Sequence, residues 1–333
     1  MITPQTNTTL EQVATALKGA QSVVLCGHVS PDGDCLGSQL TLAWALRALG
    51  KTVTCVLAKD EPVEGVLRFL PGVEAFVPAS DFEGAADVFV ACDVPSTKRL
   101  GLGAEVQARC ALTITIDHHA RDDSMAQLNY VDPDAPSTTM IMWELLKHLG
   151  VGVSADMATC AYTGLVTDTG RFQFQNTTQE AFVAAAEMVA AGAKPSDVSR
   201  EVFQNRSLAS LLLFQRAINH LNFDRETGFA FSYLTLEDFA QCEAVKSDAE
   251  PLIDELRSLE GVRVALMLRE QATEVRGSLR SKDATDVAAI AARFGGGGHK
   301  AAAGFSFKGN LDQAIVALRE AVAEVVGTCA QRG

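Results

Sequence analysis

The sequence predicts an α/β protein in two parts: a larger amino-terminal domain on a parallel sheet and a smaller carboxyl-terminal α/β domain. Three observations carry this prediction. Short apolar runs alternate with helix-period segments across the first half, the pattern of βα units around a parallel sheet. Two of those runs, at 85–92 and 110–116, stop abruptly on an aspartate, Asp93 and Asp117. Beyond a break near Gly192, a second set of strand-like and helix-like segments surrounds four consecutive glycines, Gly295 to Gly298.

Taken in order, the apolar runs predict strands at 22–26, 52–57, 87–92 and 112–116. Between the first two, Leu36, Leu40, Ala43, Leu46 and Leu49 repeat near the helical period and predict a helix over 36–49. Helical spacing returns at 137–149 and 154–166, and 171–176 interrupts it. An Ala-rich amphipathic helix over 177–191 then ends at Gly192. These boundaries give a first domain at 1–192, a partly helical connector at 193–211 and a second domain at 212–333. In the second domain strands are expected at 229–234, 262–268 and 274–279, and helices at 283–292 and 310–326. The glycine run cannot be helix filler, because residues without a Cβ permit close backbone approach and left-handed dihedrals.

The chain has 333 residues, enough for two domains that each bury a core. Although 47% of it is apolar, no run approaches the ~18 residues of a membrane span. Its beginning lacks the basic-then-apolar pattern of a signal peptide. Eight cysteines are scattered without a CxxC pair, as expected of reduced thiols in a cytoplasmic protein. The formal charge of -13, from 28 basic and 41 acidic residues, argues against a general binder of long nucleic acid. A short phosphorylated substrate remains compatible, since bound cations and a few arginines set the field inside a cleft.

Chemistry-bearing residues cluster after the predicted strands. In GHVSPDGDCLGS, Pro31 and Gly33 oppose a continuous helix, so His28, Asp32 and Asp34 are expected to converge from a loop feeding the helix at about Leu36. Imidazole and carboxylate donors suit Mn, Mg or another divalent metal. Asp93, ending VFVACD, can bridge two such ions, which offset the repulsion among close carboxylates; it can also cap the next segment. In ITIDHHA, side chains of an extended chain alternate in direction, so His118 and His119 should differ in role: one a ligand, the other near a leaving group or phosphoryl oxygen. Asp117 can orient an imidazole. Asp168, in LVTDTG, is either a helix cap or a further ligand. A competing arrangement places zinc on Cys26, Cys35 and the nearby histidine.

A second constellation lies in VRGSLRS and GGGGHKAAAGF. On a strand, Arg276, Ser278 and Arg280 share one face at period two, presenting two guanidinium groups and a hydroxyl to phosphate. His299, beside Gly297 and Gly298, can reach the same anion, and Lys300 adds positive potential. Neither a GxxxxGK[ST] loop nor a GxGxxG turn after the first strand is present.

Together HVSPDGDCLGS, VACD, DHH and TDTG, spanning 27–170, resemble the DHH phosphoesterase superfamily, and 228–326 resembles its associated DHHA1 domain. The resemblance implies a binuclear centre with its active site in the cleft between the domains. Its two divalent ions would most often be Mn2+, with Co2+ or Mg2+ as substitutes. His28, Asp32 and Asp93 would hold one ion, and Asp34, Asp93, His118 and Asp168 the other. Asp117 and His119 would be catalytic, His119 facing substrate, with water as the nucleophile. Arg99, Arg276, Ser278, Arg280, Gly297, Gly298 and His299 would contact substrate. The compact form is most similar to the nano-RNase and pAp phosphatase branch. That branch implies short RNA oligonucleotides or small phosphorylated nucleotides as substrates, neither long nucleic acid nor membrane as a partner, and a possible homodimer. Other members imply hydrolysis of the linear dinucleotide from cyclic di-AMP. Inorganic pyrophosphatase is disfavoured by RGSLRS with GGGGH, and a non-catalytic nucleotide-binding regulator by the complete donor set.

Overall fold

The computed structural model describes residues 6–63, 65–120 and 124–330, excepting the side chains of 299 and 323–330. It divides into two compact units, Met1–Asn205 and Arg206–Gly333. Among the described residues no helix is long and apolar enough to cross a membrane, and seven cysteines are free.

In the first unit six strands, β1 (Ser22–Cys26), β2 (Thr52–Leu57), β3 (Phe76–Pro78), β4 (Val88–Cys92), β5 (Leu112–Asp117) and β6 (Leu128–Val131), form a sheet in the order β3-β2-β1-β4-β5-β6. Every neighbouring pair is parallel. A parallel sheet needs cover on both faces, and the alternation within its strands supplies it. Val23, Leu25, Val90, Ile114 and Ile116 meet α1 (Leu10–Gly19), α2 (Gly33–Ala48), α4 (Thr138–Leu149), α5 (Ala155–Asp168) and α6 (Gln179–Ala190). Val24, Phe89 and Ala91 pack on the other face against Leu100 and Val106, the latter on α3 (Gly103–Gln107). The edge strand β6 is held by Thr6 and Asn7, whose side chains accept from Val131 N at 3.0 Å and Asn129 N at 2.8 Å.

The strand order reverses between β1 and β4. A crevice opens at such a switch point, beyond the carboxyl ends of the strands. His28 lies just past β1 and Asp93 just past β4, so the fold brings the first and second candidate motifs together there.

One local expectation is corrected. The helix after β1 starts at Gly33, not near Leu36, and Asp34 lies within its first turn. Asp32 is the N-cap, its carboxylate accepting from Asp34 N and Cys35 N at 3.1 and 3.0 Å. Pro31 precedes the cap and costs the helix nothing. Gly33 is required by packing, since a Cβ there would stand 2.4 Å from Thr167 Oγ1.

The segment 193–211 contains α7 (Pro195–Phe203) and the start of α8 (Leu208–Asn219), and the division between units falls between them. In the second unit come β7 (Asn222–Asp224), β8 (Phe229–Leu234), α9 (Leu236–Gln241), α10 (Leu252–Ser258), β9 (Val264–Glu270), β10 (Val275–Ser281), α11 (Val287–Ala292), β11 (Gly297–His299), β12 (Ala302–Phe307) and α12 (Leu311–Ala330). Its sheet runs β11-β12-β10-β9-β8-β7, with β8–β9 parallel and the other pairs antiparallel. Val264, Leu266, Leu279 and Phe305 pack on one face with α11 and α12, while Ala230, Ala265 and Met267 pack on the other with α8 and α10. The glycine run turns into β11: a Cβ on Gly296 would stand 2.2 Å from Gly304 O, and Gly298 has φ +144°.

Candidate metal centre and anion-binding face

Asp93 is the pivot of the first unit's site. Its backbone is left-handed, with φ 60°, a conformation uncommon outside glycine, and its N–H donates to Ile116 O at 3.0 Å. The turn buries the carboxylate and divides its oxygens. Oδ2 lies 3.5 Å from His28 Nε2, and Oδ1 lies 3.6 Å from His118 Nε2. Around the first imidazole stands Asp32, at 3.6 Å; around the second stand Asp34 and Asp168, at 3.9 and 3.6 Å. The six side chains expected to hold metal are thus assembled on one pivot.

Hydrogen bonds aim these donors. His118 Nδ1 lies 3.2 Å from Ala135 O; donating there leaves the Nε2 lone pair toward the carboxylates, the usual arrangement of a ligating histidine. Asp34 accepts from Thr138 N at 2.7 Å and Thr139 N at 2.8 Å, at the amino end of α4 where free N–H groups favour an anion. Thr138 Oγ1 donates to Asp93 Oδ1 at 2.9 Å. His119 is held by Asp117, whose Oδ1 lies 2.8 Å from the ring Nδ1 and accepts from its backbone N–H at 3.1 Å. The two histidines do not diverge as an extended chain would require, because β5 ends at Asp117: their rings meet edge to face at 4.7 Å, and His119 Nδ1 also lies 3.5 Å from Asp93 Oδ1. They differ in exposure, 5% for His118 against 16% for His119, which leaves His119 on the open side. Arg99 Nη2 lies 3.2 Å from His28 Nδ1.

So many buried carboxylates disturb one another. Burial, then the Asp93 charge, lifts Asp34 to about 7 although His118 and Thr139 pull the other way. Asp168 is raised by burial and by the charges of Asp34, Asp32 and Asp93. Burial disfavours charge on His118 and His119, yet their carboxylate neighbours outweigh it and raise both. A cluster that holds back protons in this way has a deficit of positive charge that divalent cations fit, and its imidazole and carboxylate donors suit ions that accept N and O ligands. Cys35 Sγ lies within 4.8 Å of donor atoms of His28 and Asp93. Burial and the charges of Asp93 and Asp32 drive its pKa well up, which keeps the thiol protonated beside the carboxylates.

The second unit carries the candidate anion-binding face. Along β10, Val275, Gly277 and Leu279 are buried while Arg276, Ser278 and Arg280 are partly exposed on the opposite face, as their spacing predicts. Arg276 Nη1 donates to Ser306 Oγ at 3.0 Å, and Arg280 pairs with Asp254 at 3.4 Å. Gly297 and Gly298 lie on β11, where the backbone of His299 pairs with Ala302; the His299 side chain lies outside the described ones.

Sequence reasoning missed Arg269. It is directly opposite Arg276 and donates to Ser278 Oγ at 2.9 Å. The expected strand stopped at Leu268, two residues before β9 ends. Thr138 and Thr139 were also missed, and the signal was the hydroxyl run before an apolar helix, with Ser137 as its N-cap.

Residues 22–165 match the model of the DHH family, N-terminal domain, and 229–326 that of the DHHA1 domain. A Thermus thermophilus protein called bifunctional oligoribonuclease and PAP phosphatase NrnA is 34% identical over 314 residues, 94% of this chain and 93% of that one. This chain belongs to the DHH phosphoesterase family. The Bacillus subtilis protein of the same name is 28% identical over 86% of this chain and 89% of its own. Among solved structures, an exopolyphosphatase-related protein from Bacteroides fragilis superposes with a TM-score of 0.89 at 26% identity, covering 96% of each chain. The likeness to these proteins runs through both units.

Proposed function

We propose that this DHH-family enzyme hydrolyses short oligoribonucleotides to nucleoside monophosphates and removes the 3′-phosphate of 3′-phosphoadenosine 5′-phosphate, as a cytoplasmic protein. The observation that carries the reading is the division of the Asp93 oxygens between His28 and His118, in a chain whose relatives bear that double name.

His28, Asp32 and Asp93 would hold one divalent ion, and Asp34, Asp93, His118 and Asp168 a second, with Mn2+ the expected metal and Co2+ or Mg2+ as substitutes. Such a pair, when bound, supplies Lewis-acid charge and lowers the pKa of water at the site. Asp117 keeps the ring proton of His119 on Nδ1, which leaves Nε2 for a phosphoryl or leaving oxygen. Were Nε2 of His28 given to a cation, that ring would carry its proton on Nδ1, and the Arg99 guanidinium, which only donates, would be left to contact substrate phosphate. Arg276, Ser278 and Arg280, joined by Arg269, Gly297, Gly298 and His299, would hold the phosphorylated end. The net charge of -13 repels a long polyanion, so affinity rests on a few local contacts that a short substrate satisfies.

The test is a substrate series with Mn2+: RNA of graded length, 3′-phosphoadenosine 5′-phosphate, linear and cyclic di-AMP, and pyrophosphate. Dinucleotides to pentanucleotides should turn over much faster than long single strands. Equal rates on long RNA, or a dominant pyrophosphatase activity, overturn the assignment.

A further inference from the structure

After Asp168 the backbone is left-handed at three successive residues, Gly170, Arg171 and Phe172, with φ of 54°, 63° and 61°. L residues avoid that region, and the segment is pinned there by packing and hydrogen bonds. Arg171 N donates to Val166 O at 2.8 Å and Phe174 N to Thr169 O at 3.0 Å, while Phe172 stacks on Phe182 at 5.0 Å. The consequence lies at the far end of the loop, where the chain has doubled back far enough for Asn176 to reach Asp168. The Asn176 amide donates both of its hydrogens to main-chain carbonyls, Asp168 O at 3.1 Å and Pro136 O at 2.9 Å.

Pro136 sits in a segment that already orients three donors. Ala135 O faces His118 Nδ1, Thr138 N and Thr139 N hold Asp34, and Thr138 Oγ1 holds Asp93. Through Asn176 the same segment is tied to the fourth, Asp168. His28 and Asp32 make none of these contacts.

We propose that Asn176 is a positioning residue for the donors that the second ion does not share with the first, Asp34, His118 and Asp168, and leaves the His28–Asp32 side unaffected. The inference rests on the two-ion reading. Only a side-chain amide of this length offers two donors to two carbonyls here; a carboxylate would face them with oxygen.

The test is Mn2+ binding to the full chain, followed by the electron paramagnetic resonance of free Mn2+, with Asn176→Asp and Asn176→Ala beside wild type. Wild type should take up two ions. In both variants one ion should bind as in wild type and the other on the order of 10–100-fold more weakly, the usual loss when a group supporting a metal's ligands is removed. The spin-coupled signal of the paired ions should be lost at low Mn2+, and turnover should recover at saturating Mn2+. The unchanged first ion serves in the same sample as the measure of folding, and Asn176→Asp keeps the side-chain volume should the alanine variant fold poorly. Two ions bound as in wild type, or both weakened alike, overturn the assignment of Asn176. A wild-type chain that takes up a single ion overturns the two-ion reading itself, and this proposal with it.

Discussion

His118 and His119 are adjacent in the chain and differently placed. His118 presents Nε2 to three carboxylates, whereas His119 is tethered through Nδ1 to Asp117 and stands at the open side. Replacing His119 by Asn should lower kcat by about 10²–10⁴-fold, the usual contribution of a positioned acid or base, with Mn2+ content by elemental analysis unchanged. His118→Ala should lose metal as well as turnover. Equal metal loss in both variants would put His119 among the ligands. Asp34 gives a pH signature. Its folded value, about 7, lies above its ordinary 3.8, so its protonation supports the metal-free fold at low pH and that support is lost as pH rises through 7. Calorimetry without metal should show wild type losing thermal stability relative to Asp34→Asn between pH 4 and pH 8. Divalent cation at pH 8 should recover more stability in wild type than in the variant. A gap independent of pH would remove Asp34 from the strained cluster.

Between α2, α4 and α5 the close approach depends on missing Cβ atoms. A methyl group on Gly164 would stand 2.3 Å from Thr139 Cγ2 and 2.8 Å from Asp34 Oδ1. Gly164→Ala should therefore destabilise the fold by about 1–3 kcal/mol, as overpacking does, and weaken Mn2+ binding at the same time. Unchanged melting and unchanged metal affinity would contradict that packing. The same elements explain what the sequence made legible. β1, β2, β4 and β5 were found because the interior of a parallel sheet demands short apolar runs, and the candidate donors stood out because they follow those runs. The edge strands β3 and β6, of three and four residues, are too short for periodicity to register, and the glycine-rich β11 lacks the branched side chains that mark a strand. Hydrogen bonds that aim the donors were invisible for another reason. Thr138 reaches Asp34 across 104 positions and Asp93 across 45, and no local spacing encodes such a contact.

Across the whole molecule, charge is unevenly placed. A chain with a formal charge of -13 concentrates Arg269, Arg276 and Arg280 on one face of its second sheet. Losing one charged hydrogen bond to phosphate costs ~1.5–3 kcal/mol, so Arg276→Ala should raise KM for a dinucleotide by about 10–100-fold. Hydrolysis of a small activated phosphodiester without a nucleotide end should be unaffected, because the proposed metal centre lies in the first unit. Parallel losses on both substrates would show that the arginine face serves stability rather than recognition. The switch point between β1 and β4 also bears on biosynthesis. The candidate donors on that crevice come from positions spread between His28 and Asp168, so they emerge from the ribosome at different times. A nascent chain that stops short of Asp168 lacks part of the second donor set however well its sheet has formed. Capture of the second proposed ion would therefore follow translation of the fifth helix, whereas the first proposed set is complete once Asp93 has emerged.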